Sequence, residues 1–101
     1  MLAAIATSTG RRTGLHTSPH LFYLGERLRL DGEPAPQTWI AGAVERFRDA
    51  FAAIRPSFFE ATTALSLLYF AEAQIDLAVI EVGLGGRLDA TNVITPRLSI
   101  I

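Results

Sequence analysis

Apolar positions along the chain change period several times, and each period predicts a different element. From Gln37 to Arg55 the residues Ile40, Val44, Phe47, Phe51 and Ile54 step by four, three, four and three, with Glu45, Arg46, Arg48 and Asp49 on the opposite side. That spacing predicts an amphipathic helix, closed by Arg55-Pro56. Ser57-Phe58-Phe59-Glu60 then has the S-x-x-E form of a capping box, which opens a second helix running to about Gln74. Apolar residues surround that helix on most sides, so it is expected to be largely buried. Asp76 to Val82 (DLAVIEV) is a continuous apolar run with one late carboxylate, the pattern of a central parallel strand covered on both faces.

Shorter signals fill the remainder. Arg12 to Ser18 (RTGLHTS) is β-compatible and is closed by Pro19, which supplies no ladder donor. Glu26 to Gly32 (ERLRLDG) alternates, with Leu28 and Leu30 on one face, Arg27 and Arg29 on the other, and a turn at Asp31-Gly32; it predicts a small edge strand or ribbon. Glu33 to Pro36 reads as a rigid connector. Met1 to Thr9 reads as the tail of a helix that nothing upstream caps. Leu98 to Ile101 reads as the beginning of a further strand. This order of helices and strands predicts an α/β domain with a mostly parallel sheet flanked by helices.

Composition narrows the chemistry. The 101 residues carry nine basic and ten acidic side chains, a net charge of −1, which gives no electrostatic footprint for nucleic acid or an anionic membrane. All nine basic residues are arginine. Without lysine there is neither a Schiff-base amine nor a phosphate-loop lysine in these residues. Without cysteine, disulfides and sulfur-based metal sites are excluded, leaving oxygen and imidazole as ligands. The short apolar opening, with no basic residue before it, does not read as a signal peptide, and a cytoplasmic location is expected.

In open α/β sheets ligands gather beyond the carboxyl ends of strands. Two residues stand there: Ser18, in Leu15-His16-Thr17-Ser18-Pro19-His20, and Glu81, followed by the loop Gly83-Leu84-Gly85-Gly86-Arg87. A carboxylate after a buried run needs a cationic partner or a donor. Arg87 or an N–H of the glycine loop would satisfy Glu81; so would a hard divalent cation such as Mg²⁺. The loop fails the dinucleotide pattern, because its sixth position is Leu88 rather than glycine. His16 and His20, four apart but separated by Pro19, lack helical metal-pair geometry and read as sheet and loop histidines. Phe58 and Phe59 are core aromatics by default, although paired aromatics at a helix entrance can also face a flat ring.

Taken in order, RTGLHTSPHL (Arg12 to Leu21), ERLRLDGEP (Glu26 to Pro34), SFFEATTALSLLYFAEA (Ser57 to Ala73) and DLAVIEVGLGGRLDATNVI (Asp76 to Ile94) resemble the folylpolyglutamate and dihydrofolate synthase family of the Mur ligase superfamily. The resemblance covers nearly the whole chain and implies a partial Mur-ligase ATPase domain over residues 1–101. It implies ATP-dependent joining of L-glutamate to dihydropteroate or a folate through an acyl phosphate, with Mg²⁺ and ATP as cofactor and co-substrate. Carried across position by position, Ser18 and Glu81 resemble magnesium ligands. Ser57, Phe58, Phe59 and Glu60, with Leu88, Asp89 and Ala90, resemble the walls of a pterin pocket. The family's glycine-rich phosphate loop and its lysine, a later histidine ligand and the glutamate-binding domain have no counterpart here. The resemblance therefore implies an inactive piece, starting at an internal methionine, of a longer enzyme expected to be monomeric when complete. The other readings are a different Mur-type amide ligase and a non-catalytic pterin-binding module.

Overall fold

The computed structural model describes all residues, Met1 to Ile101. Four strands form one mixed sheet in the order β3-β2-β1-β4, with β1 Thr13–His16, β2 Leu28–Leu30, β3 Glu33–Pro34 and β4 Leu77–Ile80. β1 and β4 run parallel, with Gly14 opposite Ala78 and His16 opposite Ile80. β1–β2 and β2–β3 are antiparallel. The helices are α1 Leu2–Ser8, α2 Gln37–Arg46, α3 Arg48–Ile54 and α4 Phe58–Ala73. Helix α1 packs against β1 and β4, and α4 against β1 and β2. The α/β class read from the sequence is the one observed. No helix is long and apolar enough to cross a membrane.

Asp31 and Gly32 both adopt positive φ, 52° and 91°, the geometry of a tight hairpin turn matched to strand twist. The expected connector after it contributes two paired residues: Glu33 and Pro34 form the short edge strand β3, an edge where proline's missing N–H costs no ladder bond. The amphipathic helix is interrupted at Phe47 (φ −106°, ψ 13°), so one periodic stretch gives α2 and α3. Arg55 then takes a left-handed conformation at φ 54°, immediately before Pro56, ending α3 where the sequence placed the stop.

Ser57 caps α4 as anticipated: the Glu60 N–H donates to Ser57 Oγ at 3.2 Å, and the Ser57 N–H donates to Glu60 Oε2 at 2.7 Å. Helix α4 buries Thr62, Thr63, Leu65, Ser66 and Phe70. Leu28, Ala35 and Ile40 form a small apolar core with Leu24, Trp39 and Tyr69 against it. Beneath α4 the fully buried side chains are mainly polar, among them Thr13, His16, Thr62 and Ser66.

Three expectations are corrected. Two of the three strand pairings are antiparallel, so the sheet is mixed rather than mostly parallel. β4 is the outermost strand and pairs only with β1; none of its residues is fully buried, and Ala78 is exposed, so it is not a central strand covered on both faces. Leu98 to Ile101 forms no strand and is exposed, because a strand exists only where its backbone groups find a ladder.

Candidate functional site

The parallel pairing of β1 and β4 sets the carboxyl ends of both strands side by side, and the ladder continues one step past them: the Glu81 N–H donates to the His16 carbonyl at 2.9 Å. The chain after β1 bends back through Thr17 and Ser18, and the Ser18 N–H donates to Glu81 Oε2 at 2.7 Å. Ser18 and Glu81, 63 residues apart in sequence, thus share one corner of the sheet. Neither alternative partner read from the sequence is used: Arg87 makes no ion pair, and no glycine-loop N–H donates to Glu81. Glu81 is exposed rather than buried, so its charge is hydrated and carries little desolvation cost. A hydroxyl and a carboxylate are hard oxygen donors of the type a small divalent cation accepts while retaining water in its remaining positions. The donor set fits such an ion.

The loop after Glu81 is held by Asp89. One carboxylate oxygen of Asp89 accepts from the Thr91 N–H and hydroxyl at 2.9 and 2.5 Å, and the other from the Leu84 N–H at 2.8 Å. The Thr91 hydroxyl above all, then N–H groups of Thr91, Leu84 and Gly83, keep this carboxyl below the ordinary aspartate range. A β-carbon on Gly83 would lie 2.6 Å from Phe59 Cζ and 2.9 Å from Asp89 Oδ2. Phe59 and Asp89 therefore both close on the side of Gly83 where a side chain would stand, joining the S-F-F-E and R-L-D-A elements in one wall. The remaining residues of those elements are distributed differently. Ser57 and Glu60 are engaged with each other, Leu88 is almost wholly solvent-exposed, and Ala90 opens the 3₁₀ turn Ala90–Val93.

Two further groups border this corner. His16 is fully buried, with Nδ1 at 2.8 Å from Ser66 Oγ and 3.1 Å from the Arg27 carbonyl. The Ser66 hydroxyl donates to the Thr62 carbonyl at 2.9 Å. Both neighbours of Nδ1 are therefore acceptors, which places the imidazole proton on Nδ1 and leaves Nε2 as a bare acceptor. That Nε2 is buried without a partner. Burial, the dominant influence, pushes the histidine below its ordinary value. Its ring centroid lies 6.0 Å from that of Phe59.

Arg27 is also buried. Alternation along Glu26 to Gly32 put it on the outer face of a strand; instead it ends a 3₁₀ turn, Leu24–Arg27. The cause is Glu26, whose carboxylate accepts from the N–H groups of Leu21, Phe22 and Tyr23 at 2.9, 3.1 and 3.2 Å. Those bonds, led by the one from Leu21, lower its pKa and wind the chain where a strand was expected. Neither the role of Glu26 nor the burial of Arg27 has a signal in local periodicity.

No family model matches the chain. It is 39% identical to the folylpolyglutamate synthase of Lacticaseibacillus casei, over 99% of this chain and 25% of that enzyme. It is 35% identical to the dihydrofolate synthase/folylpolyglutamate synthase of Escherichia coli, over 99% of this chain and 24% of that one. The crystal structure of folylpolyglutamate synthase from Thermotoga maritima superposes with a TM-score of 0.89 at 44% identity, over 94% of this chain and 24% of its own. The chain spans about a quarter of the length of the relatives it matches. Along essentially its whole length, it is homologous to the N-terminal portion of the folylpolyglutamate and dihydrofolate synthases.

Proposed function

We propose that these residues serve ATP-dependent ligation of L-glutamate to dihydropteroate or a folate, as a partial ATP-binding Mur ligase domain of a longer cytoplasmic, monomeric enzyme. The observation that carries this reading is the junction of Ser18 with Glu81 beside the wall made by Phe59, Gly83 and Asp89. Homologous solved structures support the ligand classes: one holds DHPP and ADP, another Mn, AMPPNP and L-glutamate.

The difficulty in this reaction is the approach of a carboxylate to an anionic γ-phosphate. A divalent cation, magnesium in this reading, supplies positive charge at the reacting oxygens when bound. Ser18 Oγ and the Glu81 carboxylate would hold that ion. The Ser18 N–H donates to Glu81 Oε2 and so orients the carboxylate. Ser57, Phe58, Phe59 and Glu60 at the start of α4, with Leu88, Asp89 and Ala90 after the glycine loop, border the pterin. Phe58 and Phe59 supply aromatic faces, and Asp89 keeps the glycine loop shut against Phe59. These 101 residues contain no lysine and bring no phosphate cradle of their own, so the chain by itself binds a pterin without turning over ATP.

The test is made on purified chain whose folding is verified by circular dichroism. Dihydropteroate is titrated by its own fluorescence, and ADP is then followed with ATP, Mg²⁺ and L-glutamate present. Saturable binding without pterin-dependent ADP is expected. A folded chain that binds no pterin would falsify the pocket, and pterin-dependent ADP would overturn the inactivity of the isolated chain.

A further inference from the structure

Of the nine arginines, Arg27 alone is buried, with 7% of its surface exposed. The terminal nitrogens of Arg27 stay within reach of solvent, where a guanidinium commonly meets a carboxylate. Arg27 has none: the chain's ion pairs are Arg46–Glu72 and Arg48–Glu45. Its Nε–H donates to His20 Nδ1 at 2.9 Å, while the terminal Nη1 and Nη2 groups donate to nothing in the chain. One face of the guanidinium lies over the Phe58 ring, 5.1 Å from its centroid. The ring of His20 stands 6.5 Å from the same phenyl group.

We infer that the free end of Arg27 is an anion subsite for the carboxylate of an aromatic acid whose ring lies along Phe58. Three features favour that ligand. The two Nη groups offer a planar fork, which matches the two oxygens of a carboxylate. The Phe58 side chain is 59% exposed and so retains ring surface for a second aromatic group. His20 accepts at Nδ1, so in its neutral form it carries its proton on Nε2 and adds a donor at the rim. His20 also lies two residues after Ser18 in the sequence. The inference deepens the reading above and rests on it: the acid is the substrate end that must be activated, and Arg27 holds it before phosphate transfer.

The test compares pteroate with its carboxamide, which differ only at the group Arg27 is assigned to hold. The unmodified chain is expected to prefer the acid by roughly tenfold, as for a charge-assisted contact. In Arg27→Gln that preference is expected to collapse through loss of acid affinity, with amide affinity retained; Arg27→Lys keeps part of it. A second measurement needs no variant: benzoate is expected to shift the Arg27 Nε–H resonance, while equal inorganic phosphate leaves it in place. Undiminished preference for the acid in folded Arg27→Gln overturns the subsite and leaves the pterin reading standing. A shift with benzoate but no binding of pteroate or its amide keeps the subsite and overturns the pterin reading. An equal shift with phosphate overturns the assignment to a carboxylate, and no response to any probe overturns both.

Discussion

The Ser18 N–H donates to the carboxylate of Glu81 at 2.7 Å across 63 residues of sequence. The bond depends on the parallel register of β1 and β4, which aligns His16 with Ile80 and so ends both strands at one level. The two residues proposed as metal ligands are thereby held at one corner of the sheet by backbone geometry.

Glu81→Gln separates the two duties of this carboxylate. The amide oxygen can still accept from Ser18, so stability is expected to change by no more than about 0.5 kcal/mol, as for other exposed positions. The charge is lost, and Mn²⁺ affinity, read by electron paramagnetic resonance of the free ion, is expected to fall at least about tenfold, the lower bound for disturbing an outer-shell partner. Unchanged affinity in the folded variant removes Glu81 from the ligand set.

Gly83 and Gly14 give contrasting substitutions. A β-carbon on Gly14 would meet Phe70 at 2.7 Å, beneath α4, where overpacking costs about 1–3 kcal/mol. Gly14→Ala is therefore expected to lower the denaturation midpoint while leaving pterin affinity per folded molecule unchanged. At Gly83 the new carbon would meet Phe59 at 2.6 Å and Asp89 at 2.9 Å, so Phe59 or the glycine loop must move. Gly83→Ala is expected to weaken pterin binding more than it weakens the fold. The reverse ranking would show that this wall is core rather than pocket.

Ser57 has two readings that one pair of variants can divide. As the cap of α4 it satisfies the Glu60 N–H, and Ser57→Ala is expected to cost about 1 kcal/mol. For a domain of this size that is a fall of about 4–8 °C in Tm. Ser57→Asp preserves an acceptor at the cap while adding charge at the pocket edge. Normal stability with weakened pterin binding is the expected result; equal loss of both in the two variants would leave Ser57 with a capping role alone.

What could be read from the sequence followed from local rules. The capping box at Ser57, the stop at Arg55-Pro56 and the turn at Asp31-Gly32 each depend on a few adjacent residues, and each is present. The α/β class followed from the alternation of periods. What escaped depended on contacts distant in sequence or on the absence of a neighbour. Leu77 to Ile80 is apolar enough for a central strand, yet these 101 residues place no strand on its outer side. Period-2 alternation presumes a strand and so misplaces Arg27, because Glu26 converts that stretch into a turn by collecting three N–H groups. His16 is a sheet histidine, as its place in the apolar pattern implies; its buried bare Nε2 depends on Ser66, 50 residues away, which fixes the proton on Nδ1.

Glu72 offers a pH test of the helical layer that is independent of the site. Its carboxylate accepts from Arg46 Nη2 at 2.7 Å and from Trp39 Nε1 at 2.9 Å. The Arg46 bond foremost, then the Trp39 bond, hold its pKa below the ordinary 4.5. A carboxyl with a lowered folded-state pKa contributes fully above its unfolded value, and the contribution disappears as pH falls through the folded one. Trp39 is the only tryptophan, so its emission is expected to titrate with a midpoint below 4.5. The pair is exposed and worth little to global stability, so the step is expected to precede any cooperative acid unfolding seen by circular dichroism. Added salt screens the ion pair and is expected to move the midpoint up toward the ordinary value. Glu72→Gln keeps an acceptor for the indole and removes the titrating group. A fluorescence step that persists in that variant, or a midpoint at or above 4.5 in the parent chain, would show that Glu72 does not bridge Trp39 and Arg46 in solution.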